Sequence, residues 1–190
     1  SSSIKLDQFL RFHYLGGLGL TYWYKGDKKK TYETGNVLME FGHRYSNFRS
    51  MTWGHLIIVL SHLIDGDFSS AIKSIQQSLE VSSDPFYSQF PRLFLGMVYV
   101  YSGQFKEAEE PLQEVITFSK NLGTDIIGTP AQSFLGVVLF SKGQMTQGLK
   151  KIEDRQRIWK ENQARYRYAV LEFVLGTLYF YMVKGTDSLG

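Results

Sequence analysis

Residues 93–112, LFLGMVYVYSGQFKEAEEPL, contain the pattern that decides the fold. Apolar residues recur at three- and four-residue spacing before Gly103, and Phe105, Ala108 and Leu112 do so after it. This spacing is typical of amphipathic helices, whose apolar side chains share one face. Glycine adopts positive φ without the steric cost of a Cβ atom, so Gly103 indicates a tight turn between two helices.

The same pattern recurs along the chain. Turn glycines stand at Gly26, Gly66, Gly103 and Gly143, so they follow one another at a nearly constant step. Leu-Gly pairs end at positions 96, 136 and 176, with the same step. A fixed period of about 40 residues is typical of helical repeat arrays, in which each unit buries its apolar face against its neighbours.

The apolar spacing predicts an all-α fold, and no segment shows the two-residue alternation of a strand. We expect about nine helices, over residues 5–24, 28–44, 47–64, 68–82, 86–102, 105–120, 127–142, 145–162 and 164–183.

The repeat units resemble tetratricopeptide repeats (TPRs). The third unit carries the motif most completely, with Leu95, Gly96, Tyr99, Gly103, Phe105, Ala108 and Leu112. The period is longer than that of typical TPRs, and it resembles the divergent repeats in C-terminal regions of large bacterial signalling ATPases, nucleotide cyclases and transcription activators. The resemblance implies a right-handed α-solenoid of stacked antiparallel helix pairs. It also implies that small residues let neighbouring helices approach closely, at Gly19, Gly96, Gly136 and Gly176 on first helices and at Ala71, Ala108 and Gly148 on second helices.

We expect one TPR-like domain over residues 4–185. Its units are predicted at about 5–45, 46–84, 85–123 and 124–163, with a partial fifth unit at 164–185. The Ser1–Ser3 run without an initial methionine is interpreted as an expression scar on a fragment of a larger protein.

Composition and motifs argue against catalysis by this chain. It has no cysteine, which excludes thiol nucleophiles and cysteine-ligated metals. The motifs for a phosphate-binding loop, a metalloprotease and a serine hydrolase are all missing. His55 and His62 lie seven positions apart, whereas metal-binding pairs on a helix usually lie four apart, so we interpret them as packed side chains. We therefore expect no enzyme activity, no cofactor and no metal.

The charge and hydropathy of the chain limit the class of partner and the cellular location that we expect. The net charge is +3, too small by itself to imply nucleic acid. Residues 150–167 carry an excess of basic side chains, which we interpret as a solvated helix face; a patch for an anionic partner is the alternative. Neither a leader peptide nor an apolar run of about 20 residues is present, so we expect a cytoplasmic protein without a membrane segment.

The resemblance also implies a concave groove lined by the first helices of successive units. Transferring the groove positions gives an apolar and aromatic lining, of which about half should be helix–helix core. The predicted groove residues are Trp23, Tyr24, Trp53, Leu60, Phe90, Met97, Tyr101, Phe140, Phe173 and Tyr181.

Three functions remain open at this point. The first is a regulatory scaffold that binds an apolar segment of a protein or peptide partner in the groove. The second is a sensor arm that binds a small ligand and controls an attached nucleotide cyclase or ATPase. The third is a self-association module, in which a second copy of the chain covers the apolar surface.

Overall fold

The computed structural model describes residues 2–161, together with the side chains of residues 8–154 and Arg157. Over this part of the chain every regular element is a helix, and the helices follow one another through short connections. The helices are α1 Ser2–Tyr24, α2 Lys28–Arg44, α3 Phe48–Ile64, α4 Phe68–Val81, α5 Gln89–Tyr101, α6 Phe105–Leu122, α7 Gly128–Ser141 and α8 Met145–Glu161. The predicted ninth helix, over 164–183, lies outside the described residues.

Two predicted helix starts differ from the structure by more than one residue. The first helix is predicted from residue 5, whereas α1 begins at Ser2. The sequence pattern starts the fifth helix at residue 86, whereas α5 begins at Gln89. The carboxylate of Asp84 accepts hydrogen bonds from the backbone N–H groups of Phe86 (2.9 Å) and Tyr87 (3.0 Å). These bonds, with the fixed φ of Pro85, hold residues 84–88 as a turn and delay the helix.

The predicted turn glycines are confirmed. Gly26, Gly66, Gly103 and Gly143 all have φ between +69° and +79°. At each turn an N–H group just beyond the helix end bonds to a carbonyl in the last turn of the helix, as Asp67 N–H does to His62 O at 3.0 Å. This arrangement satisfies carbonyl groups that would otherwise lack a partner at the helix end.

The chain divides into two compact units, Ser1–Val98 and Tyr99–Gly190, called here the N-terminal and C-terminal units. In the N-terminal unit, α2 packs between α1 and α3, and α3 also packs on α4. Val59, Ala71, Ile75 and Val98 form a fully buried core that joins α3, α4 and α5. Burial of each larger aliphatic side chain contributes about 1.5–3 kcal/mol.

Close approach at small residues is confirmed for two predicted positions on first helices. A Cβ atom on Gly19 would lie 2.7 Å from Cγ2 of Ile57, and one on Gly136 would lie 2.7 Å from Cγ1 of Ile152. In the C-terminal unit, a Cβ on Gly148 would lie 2.5 Å from the carbonyl oxygen of Gly136. The α7 and α8 backbones therefore touch where glycines face each other.

Within the part of the chain that the structure describes, none of the helices has the length and apolar character needed to cross a membrane.

Candidate partner-binding site

Two predicted groove residues from different helices are brought together in the N-terminal unit. The rings of Trp53 on α3 and Phe90 on α5 lie 5.3 Å apart between centroids, tilted by 50°. Both side chains are only partly buried. Aromatic pairs at this distance stabilise by about 0.5–1.5 kcal/mol beyond the area they bury.

The turn between α4 and α5 adds two further rings to this pair. Because Asp84 fixes the backbone at Phe86 and Tyr87, both rings are held against Phe90, at 5.5 Å and 5.9 Å. The Asp-Pro dipeptide at 84–85 is a turn signal that could have placed these rings from the sequence. Helical periodicity continues through this segment, so the sequence pattern did not predict them.

These contacts define an aromatic cluster of Phe48, Trp53, Phe86, Tyr87 and Phe90. Phe48 and Tyr87 form a T-shaped pair with ring centroids 6.2 Å apart. All five side chains are partly exposed. The guanidinium of Arg49 lies 5.7 Å from the ring centre of Phe48 and 4.7 Å from that of Tyr87. The cluster therefore combines an apolar surface with one cation stacked on its rings.

The remaining predicted groove residues of the N-terminal unit lie in different environments. Trp23 and Tyr24 on α1 contact each other at 4.6 Å, and Tyr24 is 53% exposed. Leu60 and Met97 are buried, with 2% and 8% of their surfaces exposed. These two side chains are part of the core and offer almost no surface to a partner.

In the C-terminal unit, Tyr101 is 48% exposed and forms a T-shaped pair with Phe134, with ring centroids 5.9 Å apart. Phe140 on α7 is partly exposed. The last two predicted groove residues, Phe173 and Tyr181, lie outside the described residues.

A pocket of about 220 Å³ opens beside the aromatic cluster, and no sequence pattern indicated it. We call it the α1 pocket. Helix α1 contributes Gln8, Phe9, Phe12 and His13, and the opposite wall consists of Asn47, Arg49 and Tyr87. The imidazole of His13 contacts the rings of Phe9 and Phe12, with centroid distances of 4.1 Å and 4.9 Å.

The histidines on α3 are packed side chains. His55 is buried, and burial, with a smaller electrostatic contribution from the neighbouring His43, lowers its pKa. Burial also lowers the pKa of His62, while Asp67, whose carboxylate lies 3.8 Å from His62 Nδ1, opposes that shift. Among the described residues, no group of three or more His, Asp or Glu side chains could hold a metal ion.

No protein-family model matches the chain, and no curated protein matches it either. Solved structures do resemble it, among them two of a kinesin light chain from Podosopora anserina with nearly identical TPR-like repeats. One has a TM-score of 0.59 at 14% identity, covering 92% of this chain and 96% of that one. A variant form has a TM-score of 0.58 at 14% identity, covering 93% and 97%. The predicted all-α solenoid class is thereby confirmed, and the chain has a TPR-like repeat fold.

Proposed function

We propose that this chain is a protein-interaction scaffold and that an apolar segment of a partner binds on the aromatic cluster. The observation that carries the proposal is the contact between Trp53 and Phe90 within five partly exposed rings. Contiguous apolar surface is rare on a protein that binds nothing, and aromatic and arginine side chains dominate the energetics of protein interfaces.

The chemistry of the cluster favours an extended or helical segment with apolar side chains. Trp53, Phe86 and Phe90 offer ring faces and edges, while Arg49 adds a donor at the rim. The fold supports binding rather than catalysis, because TPR-like repeats present surfaces on a rigid stack of helices.

A selection from a random peptide library tests this proposal. We expect the wild-type chain to enrich peptides with clustered apolar residues, and Trp53→Ala to weaken their binding at least about 30-fold, the factor of a hot spot of about 2 kcal/mol. Tyr32→Ala is the matched control, since Tyr32 on α2 is 44% exposed and lies outside the cluster. Equal binding by both variants, each with the helical circular dichroism of wild type, would contradict the proposal.

Two finer proposals concern the rest of the protein. We propose that the groove continues over Trp23 and Tyr24. We also propose that the chain is a regulatory part of a larger cytoplasmic signalling protein, as the long period of its repeats suggests. A parent reading frame that encodes a cyclase or ATPase domain would support this placement. A parent reading frame that encodes only further repeats would contradict it.

A further inference from the structure

We propose that the α1 pocket binds a small aromatic carboxylate. The α1 pocket shares Tyr87 and Arg49 with the aromatic cluster and its cation, but the proposal does not depend on the partner-binding function. It rests on three properties of the pocket: its rings, its charge and its size.

Three aromatic rings line the α1 pocket beside its polar side chains. Phe9 and Phe12 on one side and Tyr87 on the other present ring surfaces to the space between them. Phe9 is 57% exposed although its ring is large and apolar. A planar apolar body that contacts these rings would remove them from water, which is the main source of affinity in small-molecule pockets.

Two polar side chains of the α1 pocket, Arg49 and Asn47, offer N–H donors. Arg49 is the charged residue in its lining, and none of the lining residues is a carboxylate. The side-chain oxygen of Asn47 accepts the backbone N–H of Ser50 at 3.1 Å, so the Asn47 amide retains its two N–H donors. A guanidinium and an amide N–H₂ group together suit an anionic oxygen. Helix α3 begins beside Asn47, and the partial positive charge at its N-terminal end also favours an anion.

The size of the pocket limits the ligand. A dry cavity of about 150 Å³ is enough to bind benzene. The α1 pocket, at about 220 Å³, has room for one ring and a carboxylate, but it is smaller than the pockets that take drug-sized ligands. Benzoate is therefore the simplest probe of its chemistry.

The test is ligand-detected NMR titration of the full chain with benzoate. Benzamide is the neutral analogue of the same shape. We expect saturable binding of benzoate, with benzamide at least about 10-fold weaker, the factor of about 1.4 kcal/mol that one charge-assisted contact provides. Equal binding of the two probes, or no saturable binding of benzoate, would overturn the proposal.

Two substitutions locate the binding. Arg49→Gln removes the guanidinium and should weaken benzoate at least about 10-fold. Arg44→Gln, on an exposed arginine at the end of α2 outside the pocket lining, is the matched control and should leave benzoate binding unchanged. Equal loss in both variants would overturn the proposal, because it would show a non-specific charge effect.

Asn47→Asp provides a test that preserves the fold. Asp27 and Asp67 make the same helix-capping bond as Asn47, to Lys30 N–H and Ser70 N–H, so aspartate is a suitable cap here. The substitution replaces amide donors with a negative charge, and we expect benzoate binding to disappear while circular dichroism stays unchanged. Full benzoate affinity in this variant would overturn the proposal. The Trp53→Ala variant should still bind benzoate although it loses peptide binding, because Trp53 does not line the α1 pocket. This result would distinguish the two proposals.

Discussion

Helix α3 packs in two different ways on α2 and α4, the helices before and after it in the chain. Against α2 the contact is between backbones: a Cβ atom on Gly54 would lie 2.9 Å from Gly35 O and 2.9 Å from Met39 N. Against α4 the contact is between side chains, with Val59, Ala71 and Ile75 fully buried. One helix can therefore use glycine on one side and branched side chains on the other, and the closer contact joins two predicted repeats.

The turns at the two ends of α3 differ in residue but share their geometry. Ser46, before α3, has φ +50°, and Gly66, after it, has φ +70°. Asn47 N–H bonds to Gly42 O at 2.8 Å, as Asp67 N–H bonds to His62 O. Left-handed turns thus follow at positions 26, 46 and 66, so one helix and its turn span half of the repeat period in this region.

The largest expected effect comes from breaking the α2–α3 contact. Gly54→Ala should lower the free energy of unfolding by about 3 kcal/mol, because the new methyl group meets backbone atoms of α2 that cannot move aside cheaply. Urea denaturation measures the loss.

Two further variants serve as references for the stability change in Gly54→Ala. Gly17→Ala on α1, where a Cβ atom meets nothing within 4 Å, should gain up to about 1 kcal/mol from helix propensity. Ile75→Val, on the α4 side, should cost about 1 kcal/mol. If Gly54→Ala stabilised the chain as much as Gly17→Ala does, this result would contradict a close backbone contact between α2 and α3.

Sequence periodicity was sufficient for the helices but not for this contact. Gly26, Gly66, Gly103 and Gly143 mark turns because they recur with the repeat. Gly35 does not recur, since the chain has Ile75 at the equivalent position one period later. Because the contact between Gly35 and Gly54 does not recur at the repeat step, it leaves no periodic signal, and only the paired backbones reveal it.

The candidate site could likewise be predicted only in part from the sequence. The repeat motif placed Trp53 and Phe90 on first helices, and the structure brings them together. It could not supply Tyr87, whose position depends on side-chain bonds from Asp84. The sequence did not indicate that Arg49 lies on these rings either, because a lone arginine in a helix usually faces solvent.

A smaller effect tests the comparison of the two turns. Ser46→Gly should raise the free energy of unfolding by about 0.5 kcal/mol, since glycine relieves the left-handed strain but loses more chain entropy on folding. The reciprocal Gly66→Ser should lose a similar amount, and thermal denaturation compares the two. A destabilised Ser46→Gly variant would show that the Ser46 side chain contributes a contact of its own.

The smallest effect concerns the pH dependence of stability, which should depend on His55 in α3. The pKa of His55 is lowered from 6.5 in the folded chain, so the unfolded chain binds a proton more readily. Stability should therefore be full above about pH 6.5 and fall as the pH drops below it. Denaturation at about pH 7.5 and about pH 5.5 should show this decline, and His55→Gln should reduce it. An unchanged pH dependence in His55→Gln would rule out His55 as its source.

The most direct test of partner binding is the NMR signal of the Trp53 indole N–H. The chain has 3 tryptophans, Trp23, Trp53 and Trp159, so three indole signals are expected and single substitutions assign them. Titration with a peptide selected by the wild-type chain should shift the Trp53 signal most, because that ring lies within the aromatic cluster. Saturable binding of the peptide with an unmoved Trp53 signal would contradict the account.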